Sequence, residues 1–226
     1  MAVRTTRRGP LSRSEIVRCA LDLAERDGLD YLSLHKIAAG VGVKTMSLYN
    51  HVADKSDVLD AMSDQILAEV EIPEVDEMSW EDGIVELSSA FRATAMRYPH
   101  SAPLVLVRRL NAPSVLPVVD AALRTLYRAG LDPAAAVHAL RTLIAFLVGS
   151  LLREAATRSA GSVTAATVIV TPEAHLLAAG LPSVAESAAE LAVCDHDAEF
   201  RFGLGVFVES VRAQFLTNYD TQRRQS

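Results

Sequence analysis

The chain has 226 residues, half of them apolar and 22% charged, with a formal net charge of −6. That composition excludes an intrinsically disordered chain and is ample for a packed core. The longest nearly continuous apolar run, Leu143 to Leu152, is about half of what a bilayer requires. No charged-then-apolar leader opens the sequence, so a cytoplasmic protein without a membrane partner is expected.

Charge is unevenly spread. Residues 1–51 carry eight Lys/Arg against five Asp/Glu, a net of +3, while the remainder carries fourteen against twenty-three, a net of −9. A basic head on an acidic body suits a protein in which only the head meets phosphate. The two cysteines, Cys19 and Cys194, lack Cys-x-x-Cys or Cys/His ligand spacing and read as reduced thiols.

In chain order the segments read as helices. Ser12-Arg-Ser-Glu15 is a capping-box pattern, followed by Ile16, Ala20 and Leu23 at helical spacing and closed by Gly28. Ser33 is placed to cap a short second helix from Leu34 to about Gly40, and a third runs from Lys44 or Thr45 to His51. Asp54 opens a fourth, bearing Leu59, Met62 and Ile66 and stopping near Pro73. Ser79 starts a fifth with Ile84, Leu87, Phe91 and Ala95 as its stripe, ending before Pro99.

Further along, a short helix is expected over 101–110 and another from Ser114 to Ala129, with Pro117 tolerated in its first turn. Asp132-Pro133 begins the most apolar helix, through Val137, Leu140, Ile144, Val148 and Leu151 to about Thr157. Residues 158–171 read as a loop, and two last helices are expected near 173–192 and from Asp195 to about Asn218. The expected fold class is all-α. The last helix has an apolar face of Phe200, Gly203, Leu204, Phe207, Val211 and Phe215, and a second of Phe202, Val206 and Ala213. A surface helix needs only one such face, so the second indicates deep burial or a partner subunit.

The sharpest motif is Leu34 to Val52. Two short helices crossing at a fixed steep angle need apolar inner positions, which Ile37, Val41, Val43 and Leu48 supply, with small Ala38 at the crossing. Gly42 lies in the connection, where a left-handed backbone carries no Cβ penalty. The second helix then presents Lys44, Thr45, Ser47, Tyr49 and Asn50, side chains suited to phosphates and base edges. An ordinary αα-hairpin used for protein interaction is the alternative, and it would make the chain a cytoplasmic helical small-molecule-binding protein.

Residues 12–60 resemble the N-terminal domain of the tetracycline-repressor (TetR) family. The resemblance rests on Leu32-Ser-Leu-x-x-Ile-Ala, Gly42-Val, Ser47-Leu-Tyr-x-His-Val and Lys55 with Leu59. It implies a homodimeric, ligand-responsive transcriptional regulator, by family habit a repressor, that binds double-stranded operator DNA and is released by a small-molecule effector. It places Tyr49 and His51 at the recognition helix and Lys55 at the next helix against the DNA backbone. Ser33 completes the expected DNA-binding set. Asn50 stands where tetracycline repressors tend to have Trp, which implies a different sequence preference. The cations Arg4, Arg7, Arg8 and Arg13 form either a DNA-seeking arm or a solvated terminus.

The resemblance continues through Ser79-Trp-Glu-Asp, Gly130-Leu-Asp-Pro with Gly149, and Glu199-Phe-Arg-Phe-Gly-Leu. It implies a DNA-binding domain over 1–54, with an Arg-rich tail at 1–11, and a larger ligand-binding and dimerisation domain over 55–226. The helix at 132–157 and the last helix would then form a four-helix interface with their symmetry mates. Tetracycline repressors hold a magnesium-chelated drug through His and Asn side chains. Those positions fall near Glu71, Leu87 and Val105 or Leu106, while Phe91 keeps the aromatic, so no metal or other cofactor is expected. The candidate ligand-lining residues are Leu87, Phe91, Arg109, His138, Arg141, Thr142 and Phe146. Arg141 either pairs with an anionic ligand or sits at the stripe's edge, facing solvent or a partner. Cys194-Asp-His-Asp197 reads as a helix start rather than a metal site, and no catalytic constellation stands out.

Overall fold

The computed structural model describes residues 10–102, 113–159 and 173–225. Outside them lie Arg4, Arg7 and Arg8, the expected helix at 101–110 apart from its first two residues, Arg109, Val105 and Leu106, and the expected loop apart from residues 158–159. Among the described residues the fold is all-α, without a strand. Contacts divide the chain into two units, Met1–Thr125 and Leu126–Ser226.

In the first unit, α1 (Arg13–Asp27) begins with the complete capping box. Ser12 Oγ accepts from the Glu15 amide at 3.2 Å, and Glu15 Oε2 accepts from the Ser12 amide at 2.9 Å. Its buried stripe is Ile16, Val17, Ala20, Leu21 and Ala24, against which α2 (Leu34–Gly40) and α4 (Lys55–Ala68) pack. Between them α3 is a single turn, Thr45–Leu48, shorter than expected, with residues 49–51 continuing as a turn. Asp54 caps α4 by accepting from the Asp57 amide at 2.9 Å. That helix ends at Ala68, five residues before Pro73. A 3₁₀ turn at Val75–Glu77 leads into α5 (Trp80–Ala95), capped by Ser79. A further 3₁₀ turn, Pro113–Val115, rests on α4, where Ser114 Oγ donates to Asp64 at 2.6 Å, and precedes α6 (Leu116–Arg128).

The second unit is built on α7 (Pro133–Ser159) and α11 (His196–Gln225), which pack together. Phe146 of α7 stacks on Phe200 of α11 with ring centroids 5.8 Å apart, and Gly203 leaves room for the Phe146 ring. By length and composition α7 could cross a membrane, with a mean hydropathy of 1.8 over 18 residues. The run from Leu143 to Leu152 understated it, because isolated His138 and Arg141 interrupt an otherwise apolar helix. The segment expected as one helix near 173–192 is three: α8 (Glu173–Ala178), α9 (Pro182–Glu186) and α10 (Ala188–Leu191). Gly180 adopts a left-handed φ of 68°, and Pro182 has no amide to continue a preceding helix.

Two outcomes follow. A Cβ on Gly40 would lie 2.5 Å from Cys19 Sγ, so α2 sits on α1 only because residue 40 lacks one. Helix propensity favours alanine over glycine by up to about 1 kcal/mol. Gly40→Ala should nevertheless destabilise by about 1–3 kcal/mol through overpacking. Cys19→Ala in the same chain should recover much of that, and strictly additive denaturation midpoints would refute the close approach.

The second concerns Asp57, which receives Arg13 through Nη1 at 3.0 Å and Nη2 at 2.5 Å, and the Ala53 amide at 2.9 Å. Arg13 is thus part of the fold rather than of a free arm. First the guanidinium and then the amide hold the Asp57 carboxyl down at about 2. A depressed carboxyl stabilises the fold fully above the ordinary carboxylate range and loses that contribution as pH falls towards 2. Asp57→Asn should therefore be less stable than the parent at neutral pH and should lose less stability between pH 5 and about 2. The effect will be modest because both side chains are partly exposed. Parallel acid dependence of the two melting midpoints would dismiss the pair as a stabilising contact.

Candidate DNA interface and ligand-binding residues

Ser33 Oγ accepts from the Lys36 amide at 3.3 Å and starts α2. After α2, Gly42 takes a φ of 72°, and the Val43 amide donates back to the Ala38 carbonyl at 2.9 Å. That turn sets α3 across α2, with Ile37, Ala38, Leu48 and Val52 buried. Once Leu48 points inward, the residue two before it lies about 200° round a 3.6-residue helix and faces away, and Tyr49 follows the helix's last residue. Met46 is accordingly 76% exposed and Tyr49 51%. Lys44 and Asn50 are exposed beside them, and Thr45, Ser47 and His51 are half-buried.

The expected residues therefore differ in their surroundings. Ser33 is engaged as a cap. Thr45 Oγ1 lies 3.5 Å from His35 Nδ1, and the His51 carbonyl accepts from Arg13 Nη1 at 2.7 Å. Lys55 Nζ reaches the Leu29 carbonyl at 3.4 Å. Sequence reasoning missed Met46, because it sought polar side chains, and it missed His35 and Lys36 at the exposed start of α2. Lys36 Nζ stands 5.4 Å from the centroid of the exposed Tyr31 ring. The signal for Met46 was available, since an apolar residue two before an inward Leu in a one-turn helix must face outward.

The same unit ties its helices to the turn after α5. Glu25, near the end of α1, accepts from the His100 amide at 3.1 Å, the Ser101 amide at 2.9 Å and Ser101 Oγ at 2.5 Å. Glu69, just past α4, receives Tyr98 Oη at 3.1 and 3.0 Å and an ion pair from Arg97 at 3.1 Å. Burial, then the Glu69 hydrogen bond, pushes the Tyr98 phenol up. Residues 97–101 are thus held by the ends of α1 and α4, between which α2 and α3 lie in the chain.

Of the expected ligand residues, Leu87 is buried on α5 and Phe91 is half-buried there. In the second unit His138, Thr142 and Phe146 line one cavity of about 370 Å³, which also touches Phe202 and Val206 of α11. Thr142 Oγ1 donates to the His138 carbonyl at 3.0 Å, and Arg141 is exposed and outside that lining. Ser63 and Ser88 each bury a hydroxyl with no hydrogen-bond partner among the described residues, which sequence periodicity could not reveal. A magnesium-bound drug does not fit the described residues: Glu71 is exposed, and Leu87, 2% exposed, offers only hydrocarbon. Among the described residues no group of three or more His, Cys, Asp or Glu could hold a metal ion.

Comparison with known proteins agrees with this geometry. The family model described as tetracyclin repressor-like, C-terminal domain, matches residues 72–215. The class A tetracycline repressor from transposon 1721 (Escherichia coli) is 32% identical over 209 residues, covering 91% of this chain and 93% of that one. The structure of Streptomyces coelicolor ActR in complex with actinorhodin has a TM-score of 0.78 at 24% identity, covering 92% of this chain and 99% of ActR. Mycobacterium smegmatis BioQ with its double-stranded DNA operator shares the fold at a TM-score of 0.66 and 20% identity, covering 90% and 99%. With the family model spanning more than half the chain and a repressor 32% identical across most of it, this protein belongs to the tetracycline-repressor family of transcriptional regulators.

Proposed function

We propose that the protein is a cytoplasmic, ligand-responsive transcriptional repressor, without catalytic activity, that binds operator DNA as a homodimer. Residues 1–54 form the DNA-binding domain, and residues 55–226 bind the effector and dimerise. The observation that carries the reading is the outward side of α3 and its flanks, where Lys44, Met46, Tyr49 and Asn50 are all exposed around a helical turn fixed from behind by Leu48. Ser33, Thr45, Ser47, His51 and Lys55 extend it towards the phosphates. Relatives whose names describe a repressor, a DNA operator and a bound small molecule support the same reading.

The effector is a largely apolar organic molecule bound without metal. Leu87 in place of a chelating side chain supports this, as does Phe91 beside it. The unpartnered Ser88 hydroxyl on the same helix offers one hydrogen bond. The turn at 97–101 supplies a route to the head, because its rearrangement would be felt by both Glu25 and Glu69.

Dimerisation is assigned to α7 and α11. Only 22% of the apolar window of α7 is buried within the chain, and Phe202 and Val206 are 72% and 54% exposed. Such side chains are covered in an isologous interface. Phe202→Glu with Val206→Glu should give folded monomers of 24.3 kDa by light scattering. A dimer of unchanged stability would remove this face from the interface.

DNA binding is tested by fluorescence anisotropy with a duplex selected by the protein from a random pool. Tyr49→Ala and Met46→Ala should each weaken binding about tenfold or more, roughly one lost base or backbone contact. Their melting midpoints should be unchanged, since both side chains are exposed. Affinity should fall steeply with salt. Unaltered affinity in both variants would displace the recognition face, and no salt-dependent duplex binding would favour the interaction-module alternative.

A further inference from the structure

We propose that Cys194 is a nucleophilic thiol and a site of covalent modification by activated alkenes, with His196 as its base and Arg153 as its charge partner. Three side chains meet here: Arg153 from α7, His196 from the first residue of α11, and Cys194 two residues before that helix. Cys194 Sγ lies 3.6 Å from His196 Nδ1, and Arg153 Nη2 of α7 donates to the same sulfur at 3.6 Å. A thiol between an imidazole and a guanidinium is the arrangement that activates cysteine for attack.

Ordinary structural duties do not account for the cluster. Capping of α11 falls to Asp195, whose Oδ1 accepts from the Asp197 and Ala198 amides at 3.0 Å each. Cys194 and His196 are not needed for it. His196 Nε2 is shielded and has no hydrogen-bond partner among the described residues, and Nδ1 is the ring atom that faces the thiol. A metal site would need further ligands, and no group of three potential ligands occurs among the described residues.

The chain also contains its own control. Cys19 has different neighbours: its Sγ donates to the Ile37 carbonyl at 3.8 Å, and burial followed by Asp22 pushes its thiol up. Both thiols are partly exposed, so the two differ in the groups that face them rather than in access.

The reaction is an addition. Nδ1 of His196 takes the thiol proton while Arg153 faces the negative sulfur. The sulfur pair then forms a C–S bond to the β-carbon of the alkene as its π bond breaks. The proton returns from the imidazolium to the α-carbon. Nothing is oxidised or reduced, and no group leaves.

The full-length protein treated with N-ethylmaleimide, quenched over time and digested for mass spectrometry, reads both thiols at once. Cys194 should label at least about tenfold faster than Cys19, and faster than glutathione at the same pH. His196→Ala and Arg153→Ala should each slow Cys194 several-fold, with Arg153→Lys restoring part of the rate. Cys19 labelling reports on the fold, since opening the head would raise it. Should a variant disturb the fold in this way, the comparison within the parent protein decides. Equal rates at the two cysteines, or a Cys194 rate indifferent to His196→Ala in a folded variant, would overturn the proposal.

Discussion

Helix α1 has to be packed from three directions at once, and the arrangement of the first unit follows from that constraint. Its stripe of Ile16, Val17, Ala20, Leu21 and Ala24 is almost fully buried, so α2 and α4 must both close on it. Closure on the α2 side needs a residue without a Cβ opposite Cys19, which is Gly40. On the α4 side it is fastened by charge, with Arg13 holding Asp57 and the His51 carbonyl. At the far end Glu25 receives the amides of the turn after α5. One helix therefore connects the back of α3 with the turn that follows α5.

The single turn of α3 is stable by this borrowing. A four-residue helix cannot stand alone, because nucleation fixes more dihedral angles than its few hydrogen bonds repay. α3 persists because Leu48 and Val52 are buried and because the Val43 amide returns to α2. This leaves its outer side chains free of structural duty. Met46 and Tyr49 are therefore available to a ligand as large and flat as DNA, whereas Ser33 and the His51 backbone are already committed to the fold.

In the second unit the physical problem is the reverse. α7 and α11 carry more apolar surface than one another's contact covers. Phe200, Leu204, Phe207 and Val211 are buried by the pair, while Phe202 and Val206 remain in water in the single chain. At about 25 cal/mol per Å² of apolar area, leaving such faces exposed along two long helices favours association with a second copy. His138, Thr142 and Phe146, expected around a ligand, line a cavity that opens on this same face.

Much of the architecture was legible in the residues themselves. Capping signals at Ser12, Ser33, Asp54 and Ser79 are local chemistry between a side chain and an amide three residues on, so sequence determines them. The all-α class, the Gly42 turn and the double face of the last helix depend likewise on spacing or on one residue's backbone freedom. Spacing alone joined the three short helices at 173–191 into one; Gly180 and Pro182, which separate the first from the second, are local signals, whereas the break at Ser187 carries none. Nor could spacing show that Arg141 lies outside the cavity its neighbours line, or that Ser63 and Ser88 have no hydrogen-bond partner among the described residues. Those facts depend on which segments distant in the chain come together, as do the 75-residue span from Glu25 to His100 and the meeting of Arg153 with Cys194. Only tertiary packing decides them, because contact between remote segments is set by the sum of all buried surfaces and not by any local preference.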